Sequence, residues 1–283
     1  MPHLVVGIDT GGTHTDAVLL HYKTRRVVAA AKTLTTRDDL ARGVLAALEQ
    51  LPIEHPDKVK LVGISSTLAT NSIAEGKTRR VGLVLIGYDA ELVEQCGLRE
   101  KLWTPCFEYF RGGHTCNGEE REPPDLKGIR EWIREHHGEI DAVAVSSYFS
   151  PLDPSHELRA RDAIREESSL PVVLGHELST KLDSVKRAAT ASLNASLVAV
   201  MNDFMRAVTR ALEVRGIRAP LMVVKGDGSL MAHSEALRKP VETILSGPAA
   251  SAVGGSFFTD RNDALVVDMG RSEERRGGKE CCA

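Results

Sequence analysis

The chain has 283 residues, 42% of them hydrophobic and 27% charged, with a formal net charge of -3. That composition supports a sizeable folded core and excludes a chain that is disordered by default. The scattered basic residues offer no electrostatic footprint for nucleic acid or an anionic membrane.

The N-terminus, Met1-Pro2-His3-Leu4, enters a strand-like run without a basic leader, and no stretch of about 18 consecutive apolar residues follows; a cytoplasmic location is expected. Five cysteines (Cys96, Cys106, Cys116, Cys281 and Cys282) show no CxxC spacing and read as free thiols rather than a disulfide framework or zinc knuckle.

In chain order, the first predicted strand, Leu4 to Ile8, runs into "GIDTGGTHTD", Gly7 to Asp16. The strand delivers Asp9 to its carboxyl end, and Gly11-Gly12 permit a tight turn to which a ligand can come close. Successive N–H groups in such a turn make an anion-binding concavity. Thr13 and Thr15 add hydroxyls, and the Asp9 carboxylate suits a hydrated Mg²⁺. Asp16 to Leu20 reads as a returning strand, so the feature is a hairpin whose tip holds phosphate. It lacks the lysine of a GxxxxGK[ST] loop and the spacing of GxGxxG. An ordinary Gly-Gly hairpin turn is the bland alternative.

Helical spacing over Asp38 to Leu51 precedes a strand at Val59 to Ser65. Ser66-Thr67 then opens the helix "LATNSIAEG", where a hydroxyl serves either as N-cap or, with Thr70 and Asn71, as lining of a cleft at the strand's carboxyl end. A strand at Val81 to Ile86 leads to "RGGHTCNGEE", Arg111 to Glu120. This loop is either a solvated turn or a place where Gly112, Gly113 and His114 approach a substrate. Further strands are expected at Ala142 to Ser146, Val172 to Leu174 and Leu221 to Val224, with helical spacing over Pro154 to Glu167. Leu182 to Arg215 is alanine-rich and helical throughout, as one long helix or two joined ones. His136 and His137 are helix neighbours that do not face each other and read as surface residues.

Near the end, a predicted strand from Val241 to Leu245 meets Ser246-Gly247-Pro248, and Ala249 to Val253 continues as helix. Either close packing or an anion at the helix start explains the small residues. A last strand, Leu265 to Val267, carries Asp268-Met269-Gly270, which repeats the Asp-x-Gly of the first turn. The alternation of strands and helices predicts an α/β fold. The expected division is a first domain over residues 1–180, the start of a second over 181–270, and a tail over 271–283. "RSEERRGGKECCA" lacks strand or helix periodicity and resembles a translated sequencing adapter; a non-native tail is expected, with a natural charged tail as the alternative.

The first turn resembles the phosphate-1 loop of the actin-like ATPase superfamily, a ribonuclease H-like fold in which a second Asp-x-Gly hairpin opens the other half of the molecule. Asp268-Met269-Gly270 sits where that hairpin should start, but Arg271-Ser272 follows instead of Gly-Thr. An N-terminal half with an incomplete second half is therefore expected, binding ATP weakly and not turning over substrate alone. Within the superfamily, "STLATNSIAEGKTRRVGLVLIGYD" (Ser66 to Asp89), "RGGHTCNGEE" and "KPVETILSGPAASAVGG" (Lys239 to Gly255) together resemble the hydantoinase/oxoprolinase family, hydantoinase A type, over residues 3 to 270. In "KGDGSL", Lys225 to Leu230, Ser229 stands where the family pattern expects glycine.

The resemblance implies ATP-dependent opening of a cyclic amide: phosphorylation of a hydantoin or lactam carbonyl oxygen, then attack by water, commonly with a B-type partner subunit. It implies ATP phosphates on Thr10, Gly11, Gly12, Thr13, His14 and Thr15, with Ser246 and Gly247 facing the same cleft. Asp9 and Asp268 would face Mg²⁺ from opposite halves, while Asp16 would brace the loop or contact a metal-bound water. Thr67, Asn71, Gly112, Gly113 and His114 would lie near the substrate. A sugar-type kinase of the same superfamily and a non-catalytic ATP-driven switch protein are the competing readings.

Overall fold

The computed structural model describes residues 4–36, 40–95, 97–261, 263 and 265–267. The first strand, β1 (Leu4–Thr10), returns as β2 (His14–His21), and β3 (Arg26–Leu34) continues the antiparallel meander. α1 (Leu40–Glu49) then crosses to β4 (Val59–Ser66), which pairs parallel with β1 and feeds α2 (Leu68–Ala74). β1 alternates as a half-buried strand should: Val6, Ile8 and Thr10 are buried, and their neighbours are partly exposed.

A second sheet follows. β5 (Val81–Ile86), α3 (Ala90–Gln95), α4 (Leu98–Lys101), β6 (Phe107–Phe110), α5 (Leu126–His136), β7 (Ala142–Ser147), α6 (Ser155–Glu167) and β8 (Val172–Leu174) make an all-parallel layer in the order β6-β5-β7-β8. Every residue of β5 and β7 is buried, as expected of parallel strands covered on both faces. On one face Leu83, Leu85 and Ala144 join a cluster with alanines of the next helix; on the other, Val84, Ile86, Val143 and Val145 meet Ile129, Ile133 and Ile164 of α5 and α6.

The next helix, α7 (Ser184–Val214), is a single helix of 31 residues, roughly 46 Å long at 1.5 Å per residue. Asp183 caps it, accepting from the Lys186 N–H at 3.0 Å. Its first half lays Ala188, Ala191, Ala195 and Val198 on the second sheet, and its second half lays Met201, Phe204, Met205 and Val208 on the first. The chain then returns to the first sheet. β9 (Leu221–Val224) pairs parallel with β4, β10 (Leu230–Ala232) pairs with β9, and α8 (His233–Arg238) and α9 (Ser246–Thr259) follow. The six strands run β10-β9-β4-β1-β2-β3, so the first sheet continues across the sequence boundary expected at residue 180.

Two expected strands have other forms. Pro240–Thr243 is a 3-10 turn, because the Val241 N–H is taken by the Asn194 side chain at 3.0 Å and no strand is available to pair with it. Residues 265–267 are not in a strand. Asp268, Met269, Gly270 and the tail 271–283 lie outside the described residues. Of the expected free thiols, Cys106 and Cys116 are free, and the other three lie outside the described residues. Among the described residues no helix is long and apolar enough to cross a membrane.

Asn194, fully buried in α7, holds the turn by two bonds: Nδ2 donates to the Arg238 carbonyl at 2.8 Å and Oδ1 accepts from Val241. Asn194→Leu strands one backbone donor and one acceptor inside the protein. At about 1–3 kcal/mol for each unsatisfied buried group, and less here because Arg238 is exposed, the variant should lose about 1–3 kcal/mol in chemical denaturation; a loss below about half a kcal/mol would show that the turn holds itself.

Candidate functional site

The hairpin turn between β1 and β2 is fixed from beneath by hydroxyls. The Gly11 N–H donates to the His14 carbonyl at 2.9 Å, closing the turn. Thr35, just past β3, donates its hydroxyl to the Gly11 carbonyl at 2.9 Å, shares a 3.0 Å hydrogen bond with the Thr15 hydroxyl, and gives its N–H to the Thr13 carbonyl at 2.9 Å. One residue thus ties both arms of the hairpin to the neighbouring strand. Thr15 itself is fully buried. Its hydroxyl is committed to Thr35, so it supports the turn and does not present itself to a phosphate, contrary to the expectation from sequence.

Asp9 accepts from the Ser65 hydroxyl at 2.6 Å at the carboxyl end of β1. Asp16 is its cross-strand neighbour and pairs with Lys32 of β3 at 2.7 Å. That pair joins β2 to β3 on their exposed side. Thr13 is exposed at the tip, and His14 contributes its carbonyl to the turn.

Thr10, Gly11, Gly12, Thr67 and Asn71 come together around one cavity of about 170 Å³ beside the turn, with Leu68 and Phe204 among its walls. Gly12 keeps this corner open: a Cβ on it would lie 3.1 Å from Asn71 Nδ2, a tight contact. Thr67 occupies the N-cap position of α2 without capping it; the Ser66 hydroxyl accepts from the Leu68 N–H at 3.0 Å instead. The Thr67 hydroxyl accepts from Asn71 Nδ2 at 3.0 Å, so of the two roles open to it from sequence, the structure favours lining the cavity.

Ser246 has another task than the one expected. It is buried, donates to the Ser66 carbonyl at 3.0 Å and accepts from the Ser66 N–H at 3.3 Å, which clamps the start of α9 to the end of β4. Gly247 follows it, its Cβ direction facing the Thr67 methyl at 3.7 Å. The hydroxyl of Ser246 is therefore spent on packing, not offered to an anion. In the "KGDGSL" turn, Ser229 binds Asp227 through its N–H at 2.9 Å and its hydroxyl at 2.6 Å, a local turn lock.

Gly112, Gly113 and His114 are not at this turn. They lie at the carboxyl end of the second sheet, where Gly87 and Gly112 allow two loops to touch: a Cβ on Gly87 would stand 2.5 Å from the Gly112 carbonyl. Gly112 lines a separate pocket of about 270 Å³ with Tyr88 and Arg111. His114 is buried against His156, ring centroids 4.1 Å apart, with Nε2 3.6 Å from Asp153. His156 accepts from the Gly113 N–H at 2.9 Å and makes a 2.8 Å bond with Glu120. His156 is thus held by hydrogen bonds, while His114 is packed against it away from the Gly11-Gly12 turn, its buried Nδ1 without a hydrogen-bond partner. Among the described residues no group of three or more His, Cys, Asp or Glu could hold a metal ion. Asp268, the expected second Mg²⁺ carboxylate, lies outside them.

Sequence reading passed over Thr35 and Ser65, and named Ser66 only beside Thr67, as an N-cap or cleft hydroxyl; the capping bond belongs to Ser66. The signal was present as Thr33-x-Thr35 and Ser65-Ser66 at strand ends, but a hydroxyl in those positions is as common in ordinary turns.

The chain matches known proteins along most of its length. Residues 5–168 match the family described as "Hydantoinase/oxoprolinase N-terminal region", and residues 187–271 match "Hydantoinase/oxoprolinase". The chain is 28% identical to the caprolactamase subunit alpha of Pseudomonas jessenii, over 94% of this chain and 42% of that one. It is 27% identical to the acetophenone carboxylase gamma subunit of Aromatoleum aromaticum, over 94% and 41%. Among solved structures, nucleotide-free acetone carboxylase superposes with a TM-score of 0.79 at 17% identity, over 92% of this chain and 41% of that one. The ATP-dependent caprolactamase of Pseudomonas jessenii superposes with 0.73 at 26%, over 90% and 40%. The chain thus spans about two fifths of the length of these relatives. The fold is the mixed α/β fold of the actin-like ATPases, as expected from sequence.

Thr35→Val removes the donor to the buried turn and the partner of the Thr15 hydroxyl. It should cost about 1–3 kcal/mol in thermal or chemical unfolding, and Thr35→Ser should recover most of it; equal losses in both variants would place the effect in the methyl group.

Burial, with His156 alongside, pulls the His114 imidazole below its ordinary value of 6.5, with Asp153 and Glu120 partly opposing. The folded ring then favours the neutral form. Its contribution to stability is full above pH 6.5 and is lost as pH falls from there through the folded value. Unfolding midpoints should drop over that range in the parent chain and less steeply in His114→Gln; parallel pH profiles would refute the assignment.

Proposed function

The chain belongs to the hydantoinase/oxoprolinase family, and on that premise we propose that it carries the phosphate-binding half of an ATP-dependent cyclic-amide hydrolase. The observation that carries this reading is the β1–β2 turn. Its Gly11-Gly12 backbone is held rigid by Thr35, its Asp9 stands at the strand end, and residues expected near substrate gather beside it.

The residues present suit a Mg-nucleotide. Thr13, exposed at the tip, would hold phosphate oxygens through its backbone N–H and hydroxyl, the two glycines before it letting them come close, and Asp9 would hold Mg²⁺ through its water shell, since that ion keeps several waters and needs few carboxylates. When bound, the ion would neutralise charge on the phosphates. The protein's part in phosphoryl transfer is mostly positioning and charge stabilisation, and a turn braced by neutral hydroxyls is suited to that.

The chemistry proposed is transfer of the γ-phosphoryl group of ATP to the amide oxygen of a hydantoin or lactam. The amide oxygen forms a bond to phosphorus as the bond to ADP breaks, which turns a poor leaving group into a good one. Water then adds to the ring carbon, the tetrahedral adduct collapses with cleavage of the ring C–N bond to an amine and an acyl phosphate, and a second water hydrolyses the acyl phosphate to the ring-opened acid and phosphate. A B-type partner subunit is proposed to complete the second stage; the relatives' own names, gamma and alpha subunits, support a multi-subunit assembly.

A second reading, an ATP-dependent carboxylase, is favoured by the likeness to the acetophenone carboxylase subunit and to acetone carboxylase. One assay separates the readings: the complete protein with its partner, ATP, Mg²⁺ and a lactam should yield ADP, phosphate and the ring-opened acid. Asp9→Asn should lower that turnover about 10- to 100-fold. A stable phosphorylated product would instead indicate a kinase, lactam-independent turnover a switch protein, and dependence on bicarbonate and a ketone the carboxylase.

A further inference from the structure

We propose that Lys77 is the cation of the phosphate turn: held by Glu75 in the structure, its ammonium passes to the terminal phosphate of a polyphosphate bound at Gly11-Gly12-Thr13 and binds it from the side of the cavity. Given the reading of that turn as a phosphate seat, on which this assignment rests, Lys77 supplies the positive charge that the turn itself lacks.

The placement follows from how α2 ends. Leu68, Asn71, Ser72 and Glu75 recur at the spacing of one helix face, and all four line the cavity with Gly11 and Gly12. Asn71 sets that face against the turn, its Nδ2 standing 3.1 Å from where a Cβ on residue 12 would be. Glu75 comes one helical turn later, about 6 Å along the axis. There the chain folds back. Gly76 adopts φ +65°, a conformation that glycine takes without the penalty other residues carry. Its N–H donates to the Ile73 carbonyl at 3.2 Å, and the Lys77 N–H donates to the Ser72 carbonyl at 2.8 Å. These two bonds close a Schellman motif. Lys77 is thereby tied back to Ser72, the neighbour of Asn71, and lines the same cavity as the turn.

Charge singles out this residue. Among the described residues lining the cavity, Lys77 is the one cation and Glu75 the one anion. The hydroxyls beneath the turn are neutral, and Lys32, on the exposed side of the hairpin, is engaged by Asp16. In a GxxxxGK[ST] loop a lysine of the loop itself meets the terminal phosphates, but no lysine stands in Gly11 to Asp16. A lysine reaching in from across the cleft serves the same end, because an ammonium on a flexible four-carbon stem binds phosphate as a point charge and needs no fixed fork geometry.

Glu75 holds Lys77 only loosely. Nζ lies 2.5 Å from Oε2, but the two side chains are 65% and 39% exposed, and a solvent-exposed pair of this kind is favoured by no more than about fivefold. A charge-assisted bond to phosphate is worth about 10- to 100-fold. The exchange is therefore favourable once phosphate is on the turn, and the pair keeps the lysine beside the cavity until then. A lysine just past a helix end also has a purely local use, facing the negative end of the helix dipole. The two roles differ in what they ask of Glu75. A local lysine leaves phosphate binding indifferent to it, whereas a phosphate lysine is released, and a repelling charge removed, when Glu75 is made neutral.

The test is a titration of the 283-residue chain with sodium tripolyphosphate, a run of phosphates without adenine, read by calorimetry for affinity and by heteronuclear NMR of the backbone amides for position. In the parent chain the Gly12 and Thr13 amides should shift on binding. Lys77→Met should weaken tripolyphosphate about 10- to 100-fold, Lys77→Arg should restore most of the affinity, and Glu75→Gln should tighten it about two- to fivefold. Thermal unfolding should be nearly unchanged in all three, since the pair is exposed. Lys60→Met removes an exposed lysine outside the cavity lining and should change the affinity by less than about twofold. Equal losses in Lys60→Met and Lys77→Met, indifference to Lys77→Met, or weaker binding in Glu75→Gln would overturn the proposal. If the Gly12 and Thr13 amides still shift in those cases, the phosphate reading of the turn stands without it. If they stay unmoved while tripolyphosphate binds, or none binds, the reading of the turn falls and the proposal with it.

Discussion

One helix sets the geometry of everything else. α7 is long enough to lie under both sheets, and its residue sizes differ along its length for that reason. Alanines at 188, 191 and 195 let the backbone come close to the densely covered second sheet, while Met201, Phe204 and Met205 fill the wider space beneath the first. The same helix carries buried polar groups that fix loops from below. Arg187 donates to the Ser147 and Lys181 carbonyls at 3.0 and 2.9 Å, and Asn194 holds the turn before α9. Phe204 reaches the cavity wall. A shift of α7 would therefore be felt at the turn, in the cavity and at the carboxyl end of the second sheet together.

The turn itself is stabilised by a different device. Its supports on the inner side are neutral hydroxyls, Thr15 and Thr35, rather than charged groups, and Ser66 and Ser246 repeat the arrangement at the end of β4. Neutral donors can be buried with a smaller desolvation penalty than ions, and they leave the electrostatic field of the turn to its backbone N–H groups. The charged braces, Asp16 with Lys32, stand on the exposed side, where solvent screens them. A turn built in this way is stiff without being electrostatically committed before a ligand arrives.

Much of this was legible in the chain. Short β-branched runs identified β1, β4, β5 and β7, the alanine pattern identified α7, and Asp9 with Gly11-Gly12 identified the turn. What escaped depended on partners distant in sequence. β3 lacks a β-branched pattern in its alanine-rich centre and owes its form to pairing with β2. Thr35 and Asn194 gain their roles only when residues 24 and 44 to 47 positions away come within hydrogen-bond reach. Ser246 and His114 were misread for the converse reason: both residue types suit a ligand site, but each already has a buried partner, and burial is not written in local spacing.

The division of the expected substrate residues between two places also narrows the chemistry. Thr67 and Asn71 border the turn, while Gly112 and Gly113 hold loops together beyond the second sheet and His114 is buried there with His156. Phosphoryl transfer requires the accepting oxygen within bonding reach of the phosphorus. On the proposed function, the first group is the one placed to border a ring activated by phosphate on that turn. The loop glycines then act at a distance, by keeping β5 and the Arg111 segment close enough for the second sheet to form a firm layer against α7. Their sequence pattern reflects a requirement for close backbone contact, while Arg111, Asn117, Glu119 and Glu120 around them are exposed.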